Sequence, residues 1–289
     1  MSKIIIKTPA TSANLGTGFD FVGLALNRYN EIQIEALNDG KALIEEFGFD
    51  NVGDNLVRKC FEDTIKKYSI LNKHYIITLL KNDIPVARGL GSSASAIVSG
   101  VCGANYFLDK KINEEELIDI MVSYEGHPDN ILPCYFGGLV SSIKDEKLYY
   151  FKHEVNDELR FFVLIPKYKV RTEEARKILP KSYSLEDVVF NSSRVMLMSK
   201  AFKDADIELI KKVTDDRVHE PYRKTLIKEF DIIEKAIKGT NAKLNISGSG
   251  PTMLLISKDD IAINLIKELN LDLDIYNLKV SNGCIGSVK

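Results

Sequence analysis

A strong net charge is the first feature that the sequence lacks. Its 289 residues include 39 Lys and Arg and 41 Asp and Glu, which leaves a formal net charge of −2 at pH 7. A nearly neutral chain has no general attraction to nucleic acid or to anionic membranes. We therefore expect neither a nucleic-acid partner nor a membrane partner, and binding must depend on local sites.

Paired cysteines and long apolar runs are also missing. The four cysteines, Cys60, Cys102, Cys134 and Cys284, form no C-x-x-C pair and have mostly apolar neighbours, which is typical of buried free thiols in a reducing cytosol. The beginning of the sequence holds no apolar segment long enough for a signal peptide, and no later run approaches the length of a membrane span. We therefore expect a cytoplasmic protein.

Hydrophobic residues make up 45% of the chain, so it can bury a large core and is long enough for two domains. A predicted hairpin, Leu139–Ile143 with Leu148–Phe151, is followed by the polar residues 156–158. We place a boundary near residue 155, which gives domains 1–155 and 156–289. The strands and helices predicted after the boundary form an α+β pattern.

The most informative stretch is residues 85–96, PVARGLGSSASA, a glycine and serine turn before a run of small residues. Gly89 and Gly91 allow positive φ and a close approach, so successive backbone N–H groups can point at one anion. A helix predicted from Ser92 would add its N-terminal N–H groups and its dipole. We predict a phosphate site here, although a plain turn into a buried helix would use the same residues.

Two better-known phosphate motifs do not explain this loop. A P-loop requires a Lys-Ser/Thr pair after its second glycine, where this chain has Ser92-Ser93. Residues 89–94 satisfy the G-x-G-x-x-A dinucleotide fingerprint, and Asp109 lies at about the expected distance. However, Asp109 lies between two helical patterns and not at the end of a second strand, which contradicts a Rossmann unit.

Two further glycine-containing stretches are candidate binding loops. Ile4–Lys7 predicts a strand, and Thr8–Asp20 is predicted as a long polar loop that contains Asn14 and Asp20. Either side chain could simply satisfy turn backbone, or the two could form a small-ligand pocket. Residues 247–251, SGSGP, separate two predicted strands and could be a tight hairpin or a second loop flanking a polyphosphate.

A cluster of polar side chains, Glu125–Asn130, follows a helix that is predicted to begin after Asn113. Mg²⁺ is usually held by one or two carboxylates together with substrate phosphates and water, so Glu125 with a loop serine such as Ser93 would suffice. Zinc is disfavoured because nitrogen and sulfur ligands are too few nearby. His127 alone is more typical of a polar network than of a direct role.

The second half of the chain is predicted to contain several helices, and two of its arginines are candidate anion ligands. Thr172 is predicted to cap a short helix, and further helices are predicted over 184–202, 204–213 and 221–237. A guanidinium can bind a carboxylate or a phosphate in bidentate fashion, although a single exposed arginine is commonly a solvated charge. The candidates are Arg176 and Arg223.

Three separated motifs occur in a recognisable order: Pro9–Asp20, Pro85–Ala96 and Asn245–Thr252. Together they resemble the GHMP kinase superfamily, and within it the homoserine kinase family. The resemblance covers nearly the whole chain, because three intervening stretches also match: Glu125–Asn130, Thr172–Arg176 and Glu220–Arg223. It implies an α+β, two-domain GHMP kinase fold, with a ribosomal-protein-S5-like N-terminal nucleotide-binding domain and a ferredoxin-like C-terminal domain that closes the cleft.

The resemblance also implies a reaction, which is ATP-dependent phosphorylation of the side-chain hydroxyl of L-homoserine to O-phospho-L-homoserine, a step of threonine biosynthesis. ATP is then the co-substrate, Mg²⁺ the cofactor, and a homodimer the suggested assembly. Phosphoryl transfer depends largely on positioning and charge stabilisation, so the absence of an obvious nucleophile is no objection.

By this resemblance Asn55 lies near adenine, Ser93 and Glu125 hold Mg²⁺, and Asn14, Ser93, Glu125 and Asn130 form the catalytic set. The implied nucleotide-binding residues are Asn55, Pro85, Val86, Ala87, Arg88, Gly89, Leu90, Gly91, Ser92, Ser93, Ala94, Ser95, Ser247, Gly248, Ser249 and Gly250. The absence of the longer spacer seen in some relatives between Glu125 and Gly126-His127 weakens the implied metal role.

The implied acceptor site pairs each group of L-homoserine with a side chain of this sequence. The carboxylate suits Arg176 and Arg223, the ammonium suits Asp20, and the reacting hydroxyl suits Asn14. His127 and Asn130 would line the same pocket. Other members of the superfamily use an aspartate base, whereas here the corresponding region ends in Asn130, and Asp129 remains a candidate base.

Three alternatives remain open at this stage. A GHMP kinase for a mevalonate-like or sugar-like alcohol would not need both Arg223 and Asp20, which suit a zwitterion. A nucleotide-binding regulatory protein without turnover would not need an intact acceptor site. An RNA-binding module is disfavoured by the net charge and by the lack of a basic aromatic stripe.

Overall fold

The computed structural model describes residues 2–49, 55–71 and 73–288. The sequence Gly53-Asp54-Asn55 predicts the start of a helix; Gly53 and Asp54 lie outside the described residues, and Asn55 is the N-cap of the helix that begins at Leu56. The strands are β1 (Ser2–Asn14), β2 (Gly18–Leu37), β3 (Leu43–Phe47), β4 (His74–Asn82), β5 (Leu139–Lys144), β6 (Leu148–His153), β7 (Arg160–Pro166), β8 (Ala242–Ile246), β9 (Met253–Ser257), β10 (Leu273–Leu278) and β11 (Ile285–Val288). The helices are α1 (Leu56–Tyr68), α2 (Ser92–Phe107), α3 (Glu114–Glu125), α4 (Pro128–Phe136), α5 (Thr172–Lys177), α6 (Leu185–Val195), α7 (Met198–Lys203), α8 (Ile207–Val213), α9 (Glu220–Arg223), α10 (Phe230–Ala236) and α11 (Ile261–Glu268).

The first sheet has the strand order β11-β1-β2-β4-β3, and β5 pairs with both β2 and β6. The alternating residues Ile4 and Ile6 of β1, and Ile32 and Ile34 of β2, are buried against helices α1 to α4. This alternation is the period-two pattern of a strand with one face on the core. The alternation of apolar and polar residues over Leu24–Ala36 predicts an antiparallel strand, and this prediction and that of the hairpin β5–β6 are both confirmed.

The second sheet has the order β10-β7-β9-β8 and is antiparallel throughout. Strand β7 is buried on both faces, because Phe161 and Val163 lie in the core shared with the first sheet and Phe162 and Leu164 lie in a separate core with α10 and α11. The predicted α+β class is therefore confirmed. The domain boundary near residue 155 stays a prediction; β11, near the end of the sequence, pairs with β1 in the first sheet.

Several predicted boundaries were wrong. The predicted loop Thr8–Asp20 is mostly strand, since β1 continues to Asn14 and turns into β2 through residues 15–17. Its polar side chains disguised the strand, because the hydroxyls of Thr8, Thr11 and Thr17 are buried and bond to other segments of the protein. The predicted helix 221–237 is broken into α9, a 3₁₀ turn at Lys224–Leu226 and α10.

The remaining helix predictions need smaller corrections. The predicted helix 184–202 is divided into α6 and α7. Thr172 is the first residue of α5 and Arg171 is its N-cap, with no side-chain capping hydrogen bond. The predictions of Asn113 as the N-cap of α3 and of a helix starting at Ser92 are confirmed. In the described part of the chain, no helix has the length and apolar character needed to cross a bilayer.

Strand β1 changes face where its pairing with β2 shifts register between Pro9 and Ala10. Before the shift Ile6 packs in the first core, and after it Ala10 packs in the core shared with the second sheet. A change of register moves the alternating side chains to the other face. As a result Thr8 and Thr11, of opposite parity, both reach the helical layer, Thr8 at α2 and Thr11 at α4.

Candidate active site

A cleft of about 470 Å³ lies where the three glycine-containing motifs meet. Backbone hydrogen bonds join them: Thr11 N to Leu90 O at 3.1 Å, Gly248 N to Ala13 O at 3.1 Å, and Thr252 N to Arg88 O at 3.3 Å. The cleft is lined by Asn14, Asp20, Leu56, Val86, Ala87, Arg88, Gly89, Leu90, Gly91, Ser92, Ser93, Ala96, Glu125, His127, Asp129, Asn130, Thr172, Arg176, Arg223, Gly248 and Ser249. Segments far apart in the sequence therefore build one pocket.

The glycine loop presents the N-terminus of α2 to this cleft. Gly91 is the N-cap with φ +67°, and no side chain caps the helix. The first N–H groups of an α-helix have no intrahelical acceptor, so they are available to an anion. A Cβ at Gly89, which has φ +77°, would lie 2.2 Å from Ser247 O, and Ser247 Oγ donates to Gly89 O at 2.6 Å.

Six of the residues implied to bind nucleotide do not line the cleft, namely Asn55, Pro85, Ala94, Ser95, Ser247 and Gly250. Ser95 is buried, and its hydroxyl lies 2.7 Å from that of Thr8. Asn55 uses its amide oxygen to cap α1 and its Nδ2 to donate to Glu46 at 2.7 Å. Its neighbour Leu56 does line the cleft, so this helix end still borders the site.

Ser93 and Glu125 form a pair of oxygen atoms at the mouth of the loop. Ser93 Oγ donates to Glu125 Oε2 at 2.6 Å, which joins the first turn of α2 to the last residue of α3. Burial raises the pKa of Glu125, and the hydrogen bond from Ser93 opposes that shift. The charge of His127 also opposes it, and a partly desolvated carboxylate gains further from a cation in direct contact. The pair therefore suits a cation that would replace the lost water.

At the other end of the cleft, Asp20 and Arg176 form a bidentate ion pair with distances of 2.7 and 3.0 Å. Arg176 also donates to His127 Nε2 at 2.9 Å. His127 Nδ1 lies 3.5 Å from Asp129 Oδ1, and this carboxylate raises the pKa of His127 while burial and Arg176 oppose the shift. Three of the implied acceptor-site residues thus already form one network.

Asn14 lies at the turn between β1 and β2, and its own backbone is left-handed with φ +76°. Its Nδ2 donates to Gly248 O at 2.9 Å, and its Oδ1 accepts from Asp20 N at 3.0 Å. The side chain thus fixes both Asp20 and the second glycine loop. Asn14 therefore satisfies turn backbone and also lines the cleft, two roles that the sequence left as alternatives.

Arg223 is 2% exposed and lies with its guanidinium at the cleft. It donates only to backbone oxygens, Ala175 O at 3.2 Å and Gly248 O at 3.0 Å, and no carboxylate in the described ranges forms a salt bridge with it. Burial lowers its pKa to about 10, and the charge of Arg176 adds to this effect. Asp20, Asp129 and Asp216 act on its charge only from a distance, so an anion entering the cleft would be its direct ion-pair partner.

Sequence reasoning missed two buried residues that hold this site together. Glu220, at the start of α9, accepts from Ile246 N at 2.7 Å and from Asn245 Nδ2 at 3.1 Å, and burial raises its pKa to about 7. It thereby joins the helix that carries Arg223 to the strand before Gly248. Thr11 donates to Asn130 Oδ1 at 2.7 Å. No periodic signal in the sequence distinguishes either residue from an ordinary polar one.

Comparisons with a family model, with related sequences and with solved structures all indicate the same family. The family model "GHMP kinases N terminal domain" matches residues 55–138. The chain is 40% identical to a homoserine kinase of Clostridium beijerinckii, covering 96% of each, and 41% identical to that of Clostridium acetobutylicum, covering 89% and 88%. The crystal structure of homoserine kinase from Cytophaga hutchinsonii superposes with a TM-score of 0.86 at 28% identity, covering 99% of this chain and 97% of that one.

Proposed function

Because this chain belongs to the homoserine kinase family of the GHMP kinases, we propose that its cleft binds ATP at the glycine loop and L-homoserine at the charged end, and joins them by phosphoryl transfer. The chain has the GHMP kinase fold, and ATP is the family's co-substrate. The product is O-phospho-L-homoserine. The family's name places this reaction in threonine biosynthesis.

In the proposed nucleotide site, backbone N–H groups contact the phosphates more than side chains do. The N–H groups at the start of α2 and the loop around Gly89 and Gly91 would surround the phosphates. Ser247 supports that loop through the bond from its Oγ to Gly89 O, and Gly248 N joins the second glycine loop to β1 at Ala13 O. Phosphoryl transfer needs such fixed dipoles around developing charge, since they need no reorganisation during the reaction.

The proposed acceptor site is carried by one observation, the buried guanidinium of Arg223 without a carboxylate partner. The α-carboxylate of L-homoserine would provide that partner, with Arg176 beside it. Its ammonium would approach Asp20, which keeps the pocket's charge balanced. Asn14 and Asn130, which also line the cleft, would then lie at the reacting hydroxyl.

Ser93 and Glu125 are the residues we propose for Mg²⁺. Two adjacent oxygens, one of them a desolvated carboxylate, fit an ion that takes only one or two protein ligands beside phosphates and water. When bound, the ion would neutralise the phosphate charge. Asn55 does not line the cleft and its side-chain amide is already engaged, so its neighbour Leu56 would border the adenine.

Replacing Glu125 with glutamine should separate metal binding from acceptor binding. We expect the Mg²⁺ concentration for half-maximal rate to rise about 10-fold or more, because the carboxylate charge is lost while the shape is kept, and the KM for L-homoserine to change less than about 3-fold. Mg²⁺ titrations at saturating ATP measure this. Glu116→Gln is a matched control on the same helix, and an unchanged Mg²⁺ dependence in Glu125→Gln would remove the metal role.

The acceptor proposal is tested by ADP release with MgATP and a panel of alcohols: L-homoserine, mevalonate, L-serine, L-threonine and galactose. Two analogues sharpen it, 4-hydroxybutyrate without the ammonium and 3-aminopropan-1-ol without the carboxylate. We expect turnover of L-homoserine and a loss of kcat/KM of about 100-fold or more for each analogue, since a polar pocket left unpaired is costly. Comparable turnover of mevalonate or galactose would contradict the zwitterion pocket, and no turnover at all would support a binding-only protein.

Assembly and location complete the proposal. We retain a homodimer as a prediction from the family resemblance and a cytoplasmic location as a prediction from the cysteines and apolar runs of the sequence. Light scattering of the purified chain, at concentrations that span the assay range, measures the former. A mass equal to one chain throughout would contradict it.

A further inference from the structure

We propose that Thr11 is a positioning residue for phosphoryl transfer, which fixes the amide of Asn130 so that its Nδ2 faces the reacting groups. The inference rests on the proposed function, because Asn130 lies at the acceptor hydroxyl only if L-homoserine occupies the cleft. It adds a residue to which neither the family motifs nor the cleft lining assigns a role.

The orientation of the Asn130 amide follows from its two neighbours. One end lies 2.7 Å from Thr11 Oγ1 and the other lies 3.4 Å from Asp129 Oδ1. A carboxylate oxygen can only accept, so the amide nitrogen must face Asp129, because the reverse orientation would set two acceptors against each other. The Thr11 hydroxyl must therefore be the donor to Asn130 Oδ1.

This orientation decides what Asn130 offers the reaction. With Oδ1 held by Thr11 and one N–H of Nδ2 directed at Asp129, the group that remains for the cleft is the second N–H of Nδ2. Such a donor can stabilise oxygen atoms on which negative charge develops during transfer, and it cannot take a proton from the acceptor. Without the Thr11 hydroxyl, Oδ1 would lose its partner and the amide could rotate.

Thr11 also contacts the phosphate side of the site. Its backbone N–H donates to Leu90 O at 3.1 Å, and a Cβ at Gly91 would lie 1.9 Å from its Oγ1 and 3.1 Å from Asn130 Oδ1. The side chain is fully buried, and the register shift after Pro9 is what turns it toward α4. Thr11 therefore contacts both the glycine loop and the amide of Asn130, and it sets the distance between them.

Steady-state kinetics of Thr11→Val, which keeps the shape and removes the hydroxyl, test the proposal. We expect kcat to fall about 10- to 100-fold, as for other small misplacements of reacting groups. The KM values for ATP and L-homoserine should each change less than about 3-fold. Thr11→Ser should keep kcat within about 3-fold, since it keeps the donor. A kcat for Thr11→Val equal to that of the unmodified chain would overturn the proposal, and so would a change confined to the KM for ATP.

A double-mutant cycle with Asn130→Ala separates positioning from a general structural effect. If Thr11 acts through Asn130, the valine substitution should have no further effect on kcat once that amide is gone. An equal loss in both backgrounds would overturn the proposal. Thr11→Ala serves as the second variant without a hydroxyl if Thr11→Val does not fold. Turnover of L-homoserine by the unmodified chain is measured first, and its absence would remove the proposed function and this inference with it.

Discussion

Arg223→Met is expected to raise the KM for L-homoserine by about 100-fold or more, with the KM for ATP changed less than about 3-fold. The reason is that Arg223 is buried and lacks a carboxylate partner, so the substrate carboxylate would meet its charge in a desolvated site. Removing one member of a buried, hydrogen-bonded charge pair costs about 2–5 kcal/mol, or roughly 30-fold to several thousand-fold. Initial rates at varied L-homoserine and saturating MgATP measure the effect.

Two further variants control this experiment. Arg223→Lys keeps a charge but not the planar fork, so we expect an intermediate rise in KM. Arg171→Met removes an exposed arginine at the start of α5 and should leave both KM values unchanged. Because Ala175 O and Gly248 O also lose a donor, the stability of Arg223→Met is followed by urea unfolding. A well-folded Arg223→Met with an ordinary KM for L-homoserine would exclude this residue from the acceptor site.

Gly91→Ala is expected to lower kcat/KM for ATP by about 100-fold or more. The φ of +67° is costly for alanine, at about 1–2 kcal/mol, and the new Cβ would lie 1.9 Å from Thr11 Oγ1. Thr11 cannot move aside, since it is buried and bonded to Asn130. The loop must therefore shift, and a displacement of about 1 Å of the N–H groups is enough for a loss of this size. Rates at varied ATP, with calorimetric titration of ATP, check the result.

Gly239→Ala is the matched control, because Gly239 has φ +87° but no heavy atom within 4 Å of the added Cβ. It should lose a similar amount of backbone stability while keeping full activity. If Gly91→Ala binds ATP as tightly as the unmodified chain, the glycine loop is not the phosphate site. If both variants lose activity equally, the effect belongs to the strained backbone and not to the contact with Thr11.

Local features of this fold were predictable wherever the chemistry is local. Asn113 and Ser92 mark helix starts because capping and small-residue packing depend on neighbours in the sequence, and both predictions are confirmed. The break between α9 and α10 was not predictable from periodicity. Ile227, extended at the end of the 3₁₀ turn, packs into the core under the second sheet, and that core overrides the helical pattern.

By itself, the sequence determined where the glycine loops lie, because positive φ and free backbone N–H groups are properties of short stretches. It also determined the order of the motifs, and that order indicates the family. Tertiary structure alone decided how the charges are partnered. Asp20 pairs with Arg176 across 156 positions, Arg223 is left without a carboxylate, and Thr11 reaches Asn130 across 119 positions. Such contacts depend on the register of β1 and on the packing of two sheets around one core, and neither is encoded in any local pattern.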